Sequence, residues 1–136
     1  MSMASFRQAI YTTLVAESDV TDLVSTRIYS TFVPQDTATP YLLISLNSGG
    51  DTNQTQTPEV DMTFTVKVVA SSMANAETGS DAIRTALREA ALSGVGNWTF
   101  YRCQTTTQFY FVEQVEHGQL WHSGWNVRVR GMEAIS

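Results

Sequence analysis

Lysine is almost missing from this chain. A single Lys67 and seven scattered arginines among 136 residues leave no basic run and no basic stripe. A duplex-binding protein draws most of its affinity from neutralising phosphates, so this scarcity argues against one. Eight basic residues against thirteen acidic ones set the formal net charge at −5, which repels nucleic acid at long range. Charge of either sign is sparse at 15% of residues, against about 25% in a typical globular chain. The polar surface must therefore come from Ser, Thr, Asn and Gln, and a surface so lightly charged favours contact with other protein.

Cysteine is equally scarce. Cys103 stands alone, which excludes an intramolecular disulfide and fits a reducing cytoplasm; free cysteine packs as a small hydrophobe, so a strand residue is expected there. No apolar run approaches the ~18 residues of a membrane span. The opening MSMASFRQAI lacks the basic start and apolar core of a secretory signal, so neither export nor a membrane partner is expected. The Asn-x-Thr triplets at Asn53 and Asn97 then read as chance matches rather than glycan acceptors. With no internal repeat visible, one domain over residues 1–136 is expected, burying about two-thirds of its unfolded surface.

What is present is periodicity. Ser5 and Gln8 stand at capping-box spacing before Phe6, Ala9, Ile10 and Leu14, an apolar stripe that predicts a first helix. Asp19 offers a cap for a short turn through Val24, and residues 27–33 alternate as a strand that Pro34 ends. The linker PQDTATP, with two prolines, is expected to be stiff and extended, and the run YLLISL after it reads as a covered strand. Residues 47–58, NSGGDTNQTQTP, are too polar to offset their ordering entropy and predict a mobile, protruding loop.

From Glu59 the alternation is clean. Val60, Met62, Phe64, Val66 and Val68 fall on one face, and Glu59, Asp61, Thr63, Thr65 and Lys67 on the other, a central strand over a core. Ser71 or Ser72 then caps a helix whose stripe of Ala76, Gly79, Ile83, Ala86, Leu87 and Ala90 is made of small side chains, which lets it lie close to a sheet. Three strand-like stretches follow: WTFYRC, QFYFVEQV and LWHSGWNVRVRGM. The order predicts an α+β fold, a two-layer sandwich of about four to six mostly antiparallel (mixed) strands with two helices packed on one face.

Chemistry is thin. Cys103 with His117 or His122 could imitate a thiol pair, yet nothing around the cysteine suggests a helix N-terminus or strained turn to lower its pKa. The two histidines lie five apart without a third ligand nearby, which does not complete a zinc set. Glu59 and Asp61 could accept a cation but sit among threonines and Lys67 as a solvated face. Gly49, Gly50 and Asp51 lack the Lys-Ser/Thr and the helix of a phosphate cradle. Phe109, Tyr110, Phe111, Trp121 and Trp125 have no interleaved lysines and suit a core or a protein interface better than base stacking. No catalytic residue, cofactor or metal is assigned.

The order of these pieces resembles a known family. A helix and short turn lead to Arg27, Ile28 and Tyr29, then Val33-Pro34 and Pro40-Tyr41, and later an alternating strand enters a helix with an Arg84 to Leu87 stretch. This is similar to the tail-completion, or tail-terminator, proteins of long-tailed bacteriophages. The likeness covers residues 3 to about 92 by order and spacing, and the remainder by strand pattern alone. It implies a structural virion protein with no enzymatic activity: a homohexameric ring that sits on the tail tube, ends its polymerisation and meets a head-completion protein in head-tail joining. Its partners would be itself, the tail tube protein and the head-completion or neck protein, with DNA passing through the lumen without specific binding. It would occupy the head-proximal end of the virion tail after assembly in the host cytoplasm. A neck adaptor is the nearest alternative, and a single-stranded nucleic-acid binder using Phe109 to Phe111 with Arg128 and Arg130 is the alternative of another class.

Alternation places Trp125, Val127 and Val129 toward the core and Asn126, Arg128 and Arg130 on the opposite face. These three, with Glu59, Asp61, Gly49, Gly50, Asp51 and Asn53, are the expected contacts with partners or neighbouring subunits, the arginines matched to Glu59, Asp61 or Glu113 of the same chain or the next.

Overall fold

The computed structural model describes residues 2–51, 59–88, 90–116 and 118–134. Helices α1 (Ser2–Ala16) and α2 (Ser18–Val24) precede strands β1 (Ile28–Ser30), β2 (Tyr41–Asp51) and β3 (Glu59–Ala70). Helix α3 (Met73–Leu87) follows, then strands β4 (Trp98–Val115) and β5 (Gly118–Glu133). One five-stranded mixed sheet has the order β1-β2-β3-β5-β4. Only the β1–β2 pair is parallel; the others are antiparallel.

The helices cover one face of this sheet, as the α+β expectation requires. Phe6, Ile10 and Leu14 of α1 and Ala76, Ile83 and Leu87 of α3 are buried with Val60, Met62, Phe64, Val66, Val68, Val127 and Val129 in one cluster. Each buried aliphatic or aromatic side chain contributes roughly 1.5–3 kcal/mol relative to exposure. Two close approaches make this packing possible. At Gly79 an added Cβ would lie 2.5 Å from Val68 Cγ2, so the helix backbone rests directly on β3. Gly131 likewise leaves room for Phe6, whose ring meets Trp98 edge-on at 5.2 Å and Phe100 at 4.9 Å.

Several expectations need correction. The first helix begins at Ser2, so Ser5 is inside it and Gln8 donates to Thr12 Oγ1 at 3.2 Å rather than closing a capping box. The short turn is a full α2 preceded by Glu17, which makes no side-chain cap bond. The cap of α3 is Ser72, which accepts from Asn75 N at 3.2 Å. The strand expected over 27–33 is only Ile28–Ser30, because Thr31 turns to a φ of 72° and leaves Phe32 exposed. The 34–40 linker carries a turn at Gln35–Asp36, with Asp36 at a φ of 61°.

The largest departures concern strand length. Residues 47–51 of the expected loop belong to β2: Asn47 is the extra residue of an irregularity, and Ser48 to Asp51 pair with β3, Gly49 against Met62 and Gly50 against Asp61; residues 52–58, including Asn53, lie outside the described residues. WTFYRC and QFYFVEQV are not separate strands but one β4, kept continuous by irregularities between Phe100 and Arg102 and between Thr105 and Thr107. Each inserts an extra residue without ending the ladder.

Candidate functional site

The face of the sheet opposite the helices carries the functional candidates, in three zones along β3 and β5. Register determines the zones: Asp61 lies opposite Arg130, Thr63 opposite Arg128, Thr65 opposite Asn126 and Lys67 opposite Gly124.

The first zone is an ionic ladder. Arg128 Nε donates to Asp61 Oδ1 and Oδ2, both at 3.0 Å, and its Nη2 also reaches Oδ2. Arg130 Nε stands 3.4 Å from Glu59 Oε1 and 3.6 Å from Asp61 Oδ2 in ion pairs. The Arg128 hydrogen bond holds the Asp61 carboxyl below the ordinary carboxylate range against the opposing effect of burial, with help from the charges of Arg128, Arg130 and Arg102. The arginines expected to face partners are thus already matched within the chain, while Arg128 keeps 43% of its side chain exposed. With Glu59 and Asp61 engaged by guanidinium groups, they do not form a cation site, and the two arginines are not bare phosphate anchors.

The second zone is a polar bridge. Asn126 Oδ1 accepts from Asn47 Nδ2 and from Thr65 Oγ1, each at 3.2 Å, tying β5 to β3 and β2. Sequence pattern does not single out Asn47 or Thr65, since Asn47 falls in the expected loop and Thr65 belongs to an unremarkable polar strand face. Only the register brings them to Asn126.

The third zone is aromatic. Phe111 stacks on His122 at 4.2 Å and on Phe109 at 6.4 Å, with Lys67 Nζ 5.4 Å from its ring centre. His122 is buried and its Nε2 lies 3.0 Å from Glu113 Oε1. Burial holds its pKa below the ordinary histidine value, outweighing Glu113, and Nδ1 is buried without a hydrogen-bond partner. A neutral ring that donates from Nε2 and leaves Nδ1 bare satisfies both facts. Burial also lowers the Lys67 ammonium, against the pull of Glu113. Of the aromatics expected in a core or interface, Tyr110 and Phe111 remain exposed, whereas Trp125 donates from Nε1 to Ser80 O at 3.0 Å beneath α3.

Cys103 is buried, donates from Sγ to Leu87 O at 3.3 Å, and burial pushes its pKa up to about 12. Cys103 pairs with Val129, seven residues along β5 from His122, a separation of about 23 Å at strand rise; His117 lies outside the described residues. Among the described residues no three His, Cys, Asp or Glu side chains gather to hold a metal. Gly49, Gly50 and Asp51 are backbone members of β2, and the next described element is strand β3. No described helix is long and apolar enough to cross a membrane.

Comparison with known proteins adds what geometry alone does not. The sequence matches the family model described as tail completion protein gp17 over residues 8–130. The fold is similar to that of a chain in a solved virion of a native gene transfer agent particle, with a TM-score of 0.74 and 20% identity, covering 97% of each chain. No curated protein sequence matches it significantly.

Proposed function

The chain belongs to the tail completion protein gp17 family, a family of phage structural proteins, and from that premise we propose that it completes the tail as a ring of identical subunits. The ring, six-membered by the resemblance, caps the tail tube at its head-proximal end and stops its polymerisation. It then offers a surface to the head-completion or neck protein. The whole of residues 1–136 acts as one domain, assembled in the host cytoplasm, with neither enzymatic activity nor a cofactor.

The observation that carries this reading is the family match over residues 8–130. Two features of the fold support it. A closed ring needs each copy to present two different, mutually fitting surfaces, and the sheet has two unlike edges: β1, three residues long, and β4, eighteen residues long. An open edge of that length normally has to be covered or blunted. A net charge of −5 also suits a lumen that passes DNA without holding it.

The open face takes the partner contacts in this proposal. Arg128, Arg130, Asn126, Glu59 and Asp61 form a prepaired polar patch for a neighbouring ring, and Gly49, Gly50 and Asp51 of β2, together with Asn53, supply contacts to the tube. Electron microscopy and native mass measurement of purified tails test the proposal. A ring of this protein at the head-proximal end is expected; its absence from tails overturns the reading.

A further inference from the structure

Arg84 and Arg88, on the helix side of the sheet, have no ion-pair partner among the described residues. They flank a groove of about 220 Å³ between α3 and the β4 edge, completed by Gln104, Thr105 and Trp125. Arg84 lies over the Trp125 ring at 6.0 Å. Asp19 and Asp22 of α2 border a groove of about 430 Å³ with Thr78 and Asp81, and Asp81 also lines the surface that Arg84 and Arg88 share on α3. Asp19 and Asp22 are exposed and have no ion-pair partner among the described residues either.

The two sets are opposite in charge and similar in spacing. Asp19 and Asp22 are three residues apart on one helix, and Arg84 and Arg88 stand four apart on another. Helical rise separates each pair by about 4.5 and 6 Å along its axis, on one side of its helix. Asp81 and Thr85 of α3 lie between the two sets and line a surface with each of them, yet no ion pair among the described residues joins them within the chain; a head-to-tail neighbour can.

We infer that Asp19 and Asp22 of one subunit seat in the Arg84–Arg88 groove of the next, making this the contact that sets the direction of the ring. The occupant of the groove is a second copy of the chain. Carboxylates meeting guanidinium groups beside an indole form directional, partly dehydrated hydrogen bonds. Like charges in the same place oppose assembly. The inference rests on the ring reading and specifies its interface.

Charge reversal in mixtures tests it. Full-length protein, alone at high concentration and on purified tails, is compared with Arg84→Glu/Arg88→Glu, with Asp19→Arg/Asp22→Arg, and with the fourfold variant by native mass measurement and electron microscopy. Each double variant should need at least about tenfold more protein to form rings. The fourfold variant, and an equimolar mixture of the two doubles, should recover to within about threefold, because alternating copies restore every contact. All four positions are exposed, and circular dichroism verifies folding; should a reversal unfold the chain, Arg84→Gln/Arg88→Gln and Asp19→Asn/Asp22→Asn give the same ordering with smaller losses. Rings that form equally well in both double variants, or mixtures that fail to recover, overturn this interface and leave the ring intact. Unmodified protein that forms no ring even on tails overturns the ring reading itself, and this contact with it. Loss of nucleic-acid binding in the arginine variant with unchanged rings would assign the groove to phosphate and equally overturn the inference.

Discussion

Arg128 and Asp61 meet diagonally across β5 and β3, Nε donating to both carboxylate oxygens at 3.0 Å although Asp61 lies directly opposite Arg130 in the register. One carboxylate therefore serves two arginines that strand alternation places side by side. Without it their like charges would repel on one face.

Replacing Asp61 by Asn should lower stability at neutral pH by no more than about 1 kcal/mol, because the guanidinium is partly in water and solvent screens the pair. The larger signature is in acid. Asp61 titrates below its ordinary value chiefly because of the Arg128 hydrogen bond, so its contribution is complete above the unfolded carboxylate pKa of about 3.9 and is lost as pH falls through the lower folded value. Thermal melts from pH 5 to pH 2 should fall less steeply in Asp61→Asn than in the unaltered protein. Superimposable acid limbs would show that this pair does not contribute.

His122 should titrate below the ordinary 6.5, since burial dominates over the Glu113 carboxylate. The folded state then binds fewer protons than the unfolded chain, so stability is complete above about pH 6.5 and falls as the pH drops through the folded value. Glu113→Gln removes a group that favours the charged ring, so the imidazole midpoint followed by NMR should move lower still. A move upward would contradict the pull of Glu113 on the charged ring, and a midpoint above 6.5 in the unaltered protein would contradict the dominance of burial.

Cys103 should resist alkylation. With its pKa raised to about 12 by burial, the thiolate fraction at pH 8 is on the order of one in ten thousand, and only the thiolate attacks. Iodoacetamide should leave the native protein nearly unlabelled over an hour and modify it fully in denaturant. Rapid labelling of native protein would place Cys103 in an open, activated setting instead.

Gly79→Ala should destabilise the fold by about 1–3 kcal/mol, despite alanine's better helix propensity. The new methyl would sit 2.5 Å from Val68 Cγ2, and α3 can relieve that only by lifting from β3. Adding Val68→Ala makes room and should recover part of the methyl's cost, measured as a coupling in a double-mutant cycle from chemical denaturation. Additive losses would dissociate the glycine from Val68.

The helices and β3 are legible because each carries its own periodicity: Phe6, Ile10 and Leu14 mark one side of α1, and Val60 through Val68 mark one side of β3. The strand at residues 47–51 is not, because polar composition signals loop while ladder pairing with β3 satisfies the same backbone groups. β4 reads as two pieces for a related reason. Its irregularities interrupt alternation around Thr105 and Thr107, although pairing with β5 continues through them.

The candidate site divides in the same way. Alternation alone puts Asn126, Arg128 and Arg130 on the face away from Val127 and Val129. Which carboxylate Arg128 meets depends on a pairing between residues 67 positions apart, and local sequence holds no record of that register. Arg84, Arg88, Asp19 and Asp22 are ordinary helix-surface charges until packing brings α2 and β4 against α3. Composition and the periods of 2 and 3.6 residues suffice for the α+β class, the buried faces and the sparse basic charge, since each is a property of a short stretch of chain. The sheet order, the lengths of β2 and β4 and the ion-pair partners come from the folded chain alone, because they depend on which distant segments share hydrogen bonds.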